Sequence, residues 1–239
     1  MGSTGSTNAD LIAFAKSGAA TDRLWLVAGE QTAGMGRRGR AWVSPPGNLY
    51  ASLYLEHVAE TDSFGFTPLV CAVAVHRAIR ATIGEKFLVQ IKWPNDILID
   101  GAKCCGMLIE ADNRDYRNNL VIGCGINLVA HPHDTPYPAV HLNALGASVS
   151  TNEMFQYLSE AFAQTFDEWD RGKNSAAIRA YWSQHARGIN ETMTVNFERS
   201  SIDGICEGID ARGFLLLRAP DGTRHEISAG DVFFPQIKK

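Results

Sequence analysis

The spacing of hydrophobic and polar positions changes once along this chain of 239 residues, near residue 190. Before that point, apolar runs of helical length alternate with shorter apolar runs of strand length. After it, only short runs of strand length remain, and turns containing Asp and Gly separate them. The pattern therefore predicts an α+β domain over residues 1–188 and a small β domain over residues 189–239.

Four segments of the first domain have the hydrophobic pattern of helices. The first helix follows N-cap residues at Ser6-Thr7-Asn8 and ends at Gly18, and the third opens with a capping box formed by Ser150 and Glu153. The second is apolar nearly all round, which is typical of a buried helix. The predicted helices are 9–18, 66–83, 150–170 and 174–186.

Six short apolar runs of the first domain have the length and composition of strands. They are LWLVA (24–28), LYASLYLEH (49–57), VQIKW (89–93), ILID (97–100), CCGMLIEA (104–111) and LVIGCGINL (120–128). A tight turn at Gly101 joins the fourth run to the fifth, whereas residues 131–149 have the composition of a loop. In the second domain, TMTVNFE, GICEGI, FLLLRA, RHEIS and DVFF predict a small antiparallel barrel.

Composition narrows the class of protein. The chain is 45% hydrophobic and 20% charged, with a net charge of −4 and a pI near 6.0, which argues against general nucleic-acid binding. It has neither an apolar run long enough to cross a bilayer nor an N-terminal secretion signal, so we expect a cytoplasmic location. The five cysteines contain no CxxC pair and fit reduced thiols better than a disulfide framework.

Positive charge is concentrated in GMGRRGRAW, residues 34–42, hereafter the arginine loop. Its first six residues match the dinucleotide fingerprint G-x-G-x-x-G, but that motif requires a helix directly afterwards. Here AWVSPPG follows, and its two prolines exclude one. A P-loop motif is also absent from the sequence. Two interpretations stay open: a solvated basic loop, or a loop that closes on a phosphate or acyl-phosphate through glycine amides and arginine side chains.

A second cluster of candidate residues reads KWPNDILIDGAKCCGMLIE, residues 92–110. Asp96 lies at the mouth of a predicted loop, and Lys103 enters a strand that is otherwise apolar. Such a lysine can bring its ammonium group to a developing negative charge. Taken alone, Lys103 would be interpreted as a surface lysine and Asp96 as an ordinary turn residue.

Other candidates have simpler interpretations. His131-Pro132-His133-Asp134 contains metal-ligand residue types but no third partner, so we expect no metal site there. Cys104 and Cys105 are expected to pack in a strand, and Cys124 is interpreted as structural because the sequence shows no histidine beside it.

Six motifs in order give the chain a resemblance to biotin–protein ligases over nearly its whole length. They are GSTN (5–8), Gln31 with AGMGRRGRAW (33–42), PGNLYASL (46–53), KWPNDI (92–97), KCCGMLIE (103–110) and VIGCGIN (121–127). The resemblance implies a sheet flanked by helices, as in class II aminoacyl-tRNA synthetases, followed by a C-terminal SH3-like barrel. It also implies ATP-dependent biotinylation of a lysine on a biotin carboxyl carrier protein, through biotinyl-5′-AMP and with Mg²⁺ accompanying ATP.

The resemblance also assigns roles to residues. It implies a catalytic group of Lys103, Arg37 and Asp96. The biotin-binding residues would be Ser6, Thr7, Asn8, Gln31, Gly34, Gly36, Arg37, Lys103 and Gly106. The nucleotide-binding residues would be Arg37, Arg40, Trp42, Lys92, Asn95, Asp96, Asn127 and Gly125.

The chain departs from the family at Met35, where members usually carry an arginine, which removes one guanidinium from the loop. No helix-turn-helix precedes GSTN, so we expect a monofunctional enzyme with no DNA partner. Two alternative functions stay open. The chain could be a lipoate or octanoate ligase of similar fold, or a non-catalytic sensor of biotin or biotinyl-AMP. A homodimer through an exposed sheet edge is a further expectation.

Overall fold

The computed structural model describes residues 1–112 and 118–234, and they form two sheets with helices around the first. The elements before residue 190 are α1 (Thr7–Ser17), β1 (Leu24–Ala28), β2 (Leu49–Leu55), α2 (Thr61–Phe64), α3 (Thr67–Ile83), β3 (Val89–Lys92), β4 (Asp96–Ile99), β5 (Ala102–Asp112), β6 (Asn119–Ile126), α4 (Thr151–Trp169) and α5 (Ser175–His185). Those after it are β7 (Thr192–Asn196), β8 (Ser201–Ile209), β9 (Leu215–Arg218), β10 (Arg224–Ile227) and β11 (Asp231–Phe233). Short 3₁₀ turns occur at Arg37–Gly39, Leu142–Leu145 and Asp170–Gly172.

The first sheet has six strands in the order β1-β2-β6-β5-β4-β3, and every pairing between them is antiparallel. Helices α3, α4 and α5 cover one face, while α1 packs on β2 and β6 at the other. Strand β2 shows how the sequence divides between the faces. Its Leu53 belongs to the core under α3 and α4, whereas Tyr54 packs with Leu11 of α1. The predicted α+β class is confirmed.

The helix termini follow their sequence signals. Ser6 caps α1 by accepting a hydrogen bond from the Ala9 amide, and Gly18 ends the helix with a left-handed φ of 76°. Ser150 and Glu153 form the capping box of α4. All four predicted helices and all six predicted strands are present, and no end differs from its predicted position by more than two residues.

The second sheet has five strands in the order β10-β9-β8-β7-β11, and all its pairings are antiparallel. Its five strands match the five runs predicted there, while closure into a barrel stays a prediction. The two sheets meet where the Trp93 indole donates to the carbonyl of Gly213, 3.3 Å away. A Cβ at Gly213 would lie 2.7 Å from the Leu69 side chain, so this turn packs directly on α3. The predicted boundary at residues 188/189 stays a prediction, and residues 235–239 lie outside the described residues.

No helix among the described residues is long and apolar enough to cross a membrane.

Candidate active site

A cavity of about 190 Å³ lies on the α1 face of the first sheet, beneath the arginine loop. The N-terminus of α1, the β3–β4 hairpin, β5 and β6 contribute to its walls, and β11 of the second sheet closes one side. The structure brings most of the predicted site residues to this one cavity. They are Ser6, Thr7, Asn8, Gln31, Gly36, Arg37, Arg40, Trp42, Lys92, Asn95, Asp96, Lys103, Gly106 and Gly125.

One end of the cavity is a network of uncharged polar side chains. Gln31 accepts hydrogen bonds from the amide and the hydroxyl of Thr7 at 2.9 and 3.0 Å, and its Nε2 donates to Ser44 Oγ at 3.1 Å. Ser52 Oγ lies 2.7 Å from Thr7 Oγ1 and 2.6 Å from Asn8 Oδ1. Each side chain is fixed by its neighbours, so this end presents oriented donors and acceptors to a bound molecule.

The floor of the cavity is formed by glycines on β5 and β6. A Cβ at Gly123 would lie 2.3 Å from Asn8 Oδ1, and one at Gly125 would lie 2.4 Å from the indole nitrogen of Trp42. At Gly106 a Cβ would approach the same ring to 3.0 Å. Trp42 therefore lies directly against bare strand backbone. Its Nε1–H is buried without an acceptor among the described residues, which leaves a donor for a ligand.

At the other end of the cavity, two lysines converge on one carboxylate. Lys103 Nζ is 2.8 Å from Asp96 Oδ1, and Lys92 Nζ is 3.9 Å from Asp96 Oδ2. All three side chains are only 15% exposed. Burial lowers the pKa of Lys92, and the negative charge of Asp96 opposes that shift. The Lys103 ammonium also lies 5.3 Å from the centre of the Trp42 ring and 5.2 Å from that of the Tyr137 ring. Asp96 and these two rings together hold the ammonium in position.

The arginine loop crosses the cavity and reaches the second sheet. Arg37 donates to Asn95 Oδ1 at 3.2 Å and to the Gly230 carbonyl at 3.1 Å. Arg37 and Arg40 also lie 3.5 and 3.1 Å from Asp231. Burial lowers the pKa of Arg37, and the nearby carboxylates of Asp231 and Asp96 counteract it. No helix follows the loop, in agreement with the rejection of a dinucleotide fingerprint.

Two predicted residues do not line the cavity. Gly34 is enclosed, because a Cβ there would lie 2.5 Å from Ser44 Oγ and 2.6 Å from the Trp42 carbonyl. Because glycine has no side chain, the loop can pass close to Gln31 at this position. Asn127 is buried, and its Nδ2 donates to the Val140 carbonyl at 3.1 Å. A direct ligand contact for either residue stays a prediction.

Sequence reasoning missed several wall residues. Asp231, Val232 and Phe233 come from the second domain, and Tyr137 comes from a segment that we interpreted only as a loop. Nothing in DVFF distinguishes Asp231 from an ordinary turn residue, since only domain packing brings it to the arginines. Tyr137 had a weak signal, because an aromatic residue between two prolines is unusual in a solvated loop.

The cysteines pack as structural residues, and the histidines near residue 131 form a small cluster. All five cysteines are buried, and burial raises the pKa of Cys124 to about 12, which disfavours a nucleophilic thiolate. Cys104 and Cys105 pack in β5, as expected. His131 does have a neighbour that the sequence did not reveal: its Nδ1 lies 2.8 Å from His141 Nδ1. Even so, the described residues contain no group of three or more ligands suited to a metal ion.

Comparisons with known proteins agree with this geometry. Residues 3–127 match the model of the biotin/lipoate A/B protein ligase family, and residues 188–234 match the biotin protein ligase C-terminal domain. The biotin–[acetyl-CoA-carboxylase] ligase of Paracoccus denitrificans is 35% identical over 241 residues, covering 97% of this chain and 98% of that protein.

Two solved structures are also similar. The biotin protein ligase of Aquifex aeolicus, in complex with biotin and ATP, superposes with a TM-score of 0.83 at 24% identity, over 98% of this chain and 96% of that one. The biotin protein ligase of Leishmania major, in complex with biotinyl-5-AMP, gives a TM-score of 0.69 at 26% identity, over 95% and 96%. The chain belongs to the biotin/lipoate A/B protein ligase family, and the resemblance seen in its motifs is confirmed.

Proposed function

We propose that this chain is an ATP-dependent biotin–protein ligase, which adenylates biotin and transfers it to a lysine of a biotin carboxyl carrier protein. One observation carries the proposal. A single cavity has a fixed network of uncharged donors and acceptors at one end and a cluster of buried cations at the other. That arrangement suits an acid with a polar neutral head and a carboxylate that meets phosphate.

The neutral end accounts for the head of biotin. A ureido group has two N–H donors and one carbonyl acceptor, so it needs a site with both acceptors and donors. Gln31 and Thr7 supply both kinds of group on the cavity wall, and the buried Ser52 hydroxyl holds Thr7 in place. Asn8 is held beside them by the 2.8 Å hydrogen bond that it donates to Glu110. Gly106 and Gly125 leave room for the Trp42 ring, which forms an apolar wall beside the aliphatic part of the acid.

The cationic end accounts for adenylation. A carboxylate oxygen of biotin attacks the α-phosphorus of ATP, the bond to the β-phosphate oxygen breaks, and pyrophosphate leaves. Negative charge grows on the α-phosphate oxygens during attack, and the Lys103 ammonium is the group oriented to offset it. Arg37 and Arg40 would hold the departing phosphates, while Asp96 positions Lys103. Lys92 would add a phosphate contact, and Trp42 offers a flat surface to the adenine.

In the second step, the amine of the carrier lysine attacks the carbonyl carbon of biotinyl-5′-AMP and AMP leaves. The resulting amide joins biotin to the carrier. The enzyme contributes no covalent intermediate, which agrees with the burial of Cys124. The arginine loop covers the mixed anhydride and keeps water from it before the carrier arrives.

Mg²⁺ would enter as the counter-ion of ATP. It prefers oxygen ligands and is commonly held by one or two carboxylates together with phosphates and waters. The Asp96 carboxylate and the Asn95 amide oxygen are side-chain oxygens on the cavity wall that fit this requirement. When bound, the ion would neutralise phosphate charge.

The same proposal includes a cytoplasmic location and a homodimer.

A lipoate or octanoate ligase is the nearest alternative, since the family includes lipoate ligases. Lipoate and octanoate have apolar tails, which would make no hydrogen bond with the polar network of Gln31, Thr7 and Asn8. The match to the biotin protein ligase C-terminal domain also favours biotin.

Exchange of labelled pyrophosphate into ATP tests the proposal, with biotin, lipoate or octanoate as the only added acid. We expect exchange with biotin alone, followed by labelling of a carrier domain. Exchange with lipoate or octanoate instead would assign the chain to the other branch of the family. Binding of biotin without any exchange would indicate the sensor alternative.

A further inference from the structure

One carboxylate of the second domain is surrounded by the arginine loop. Arg37, Arg38 and Arg40 place guanidinium nitrogens 3.5, 3.3 and 3.1 Å from the Asp231 carboxylate. The Asp231 side chain is 14% exposed and lines the cavity. Asp231 therefore brings an anion to Arg37 and Arg40, whose guanidinium groups the cavity presents to a ligand.

Two hydrogen bonds also connect the arginine loop to the backbone of the second sheet near Asp231. Arg37 donates to the Gly230 carbonyl and Arg38 to the Asn196 carbonyl, at 3.1 and 3.4 Å. Arg38 has a left-handed φ of 56°, which is unfavourable for a residue with a side chain. A strained conformation persists only where surrounding contacts hold it, and here those contacts come from Asp231 and its neighbours.

We propose that Asp231 is a positioning residue that holds the arginine loop over the cavity and competes with the phosphates of the substrate for the guanidinium groups of Arg37 and Arg40. The first half concerns the loop alone. The second half rests on the proposed function, because it names the triphosphate of ATP as the competitor.

Asp231 and a phosphate would compete because they need the same guanidinium donors and carry charge of the same sign. Nη1 of Arg37 is bonded to Asn95, Nη2 is bonded to Gly230, and Asp231 lies beside them, so a phosphate must share or replace these partners. A phosphate next to Asp231 also meets a like charge in a partly buried site. When phosphate binds, the arginines would exchange a carboxylate for a more highly charged anion.

Limited proteolysis of the full chain tests the loop. Trypsin cleaves after arginine, and Arg37, Arg38 and Arg40 supply three cleavage points within the loop. In protein without added ligand, Asp231→Asn is expected to raise the rate of cleavage there by about tenfold, because three ion pairs to one buried carboxylate are lost. Inorganic tripolyphosphate should restore protection in the variant.

Two controls separate loop opening from unfolding. Asp203→Asn removes a carboxylate of the same sheet that accepts a hydrogen bond from the Thr194 hydroxyl, and the arginine loop of this variant should be cleaved at the wild-type rate. Cleavage after Arg77 or Arg80 in α3 reports global unfolding and should not increase in Asp231→Asn. Equal loop cleavage in Asp231→Asn and wild type, or an increase at α3 as large as at the loop, would overturn the proposal.

Pyrophosphate exchange tests the competition. If Asp231 competes with phosphate, Asp231→Asn lowers the KM for ATP by about threefold and leaves the KM for biotin unchanged. A purely structural role would raise both KM values, which would contradict the competition. The proteolysis result holds whether or not the chain exchanges pyrophosphate, so failure of the proposed function can be told apart from failure of this inference.

Discussion

At the scale of single residues, Lys103 is the group on which adenylation should depend most. Lys103→Met keeps an unbranched side chain of nearly the same length but removes the ammonium that lies beside the Trp42 and Tyr137 rings. We expect biotin-dependent pyrophosphate exchange to fall by about 10² or more, because a preorganised charge at the reacting phosphate is lost.

The exposed Lys173, which forms an ion pair with Asp170, provides a matched control. Lys173→Met should exchange pyrophosphate at the wild-type rate. Thermal unfolding of both variants checks that each is folded. Exchange within a few-fold of wild type in Lys103→Met would remove Lys103 from the catalytic group.

A residue of the cavity can be predicted from the sequence when its neighbours along the chain alone determine which way it faces. Gly123 and Gly125 alternate with Cys124 on β6, so strand periodicity alone puts both glycines on one face and the thiol on the other. The structure has this arrangement, with the glycines at the cavity and Cys124 in the core. Asp231 could not be found in the same way, because it is separated from the arginines by most of the chain.

At the scale of elements, a buried histidine joins α3 to α5 and β3. His76 is fully buried, with Nε2 3.1 Å from the Val89 carbonyl and Nδ1 3.0 Å from the Tyr181 hydroxyl. A carbonyl can only accept, so Nε2 donates and Nδ1 accepts from Tyr181. Protonation of Nδ1 would make it a donor, so the Tyr181 hydroxyl could no longer donate to it and the second bond would have to reverse. Burial lowers the pKa of His76 from 6.5 to about 4, and nearby His185, Arg80 and Arg77 add to the shift.

This pKa predicts acid sensitivity of the helical layer. Because the native pKa lies below the unfolded value, the stabilisation is complete above pH 6.5 and is lost as the pH falls towards about 4. His76 should contribute about 3 kcal/mol to that loss. Urea unfolding across this range is the measurement, with His76→Gln as the comparison. His76→Gln should be less stable at neutral pH but should show a flatter pH dependence; parallel curves would contradict the assignment.

Element boundaries were predictable where a backbone signal marks them. Gly18 and the Ser150 capping box fixed the ends of α1 and α4 because both act within one helical turn. The order of strands in the sheet was not predictable in this way. Strand β2 lies beside β6 rather than β3, and this pairing depends on which faces α1 and α3 cover.

At the scale of the whole molecule, the cavity is completed only when the second sheet packs on the first domain. The family resemblance predicted both domains, but it placed the site entirely in the first. The structure adds Asp231 and Phe233 as a wall, with Phe233 5.6 Å from the Lys92 ammonium. That wall depends on contacts between residues nearly 200 positions apart along the chain, such as Arg37 with Gly230. Local sequence patterns do not encode such a contact.

Charge is also organised at this scale. The chain has a net charge of −4, yet Arg37, Arg40, Lys92 and Lys103 line one cavity that contains two carboxylates, Asp96 and Asp231. A cleft with an excess of positive charge concentrates the electric field and attracts a polyanion, and dissolved salt screens that attraction.

The KM for ATP should therefore rise by about tenfold between about 0.05 and about 0.5 M NaCl. The KM for biotin should rise much less, because biotin carries one negative charge and is held mainly by the uncharged network at Gln31. Pyrophosphate exchange measured against each substrate at several salt concentrations gives both values. Equal salt dependence for the two substrates would mean that the cations of the cavity do not recognise the triphosphate.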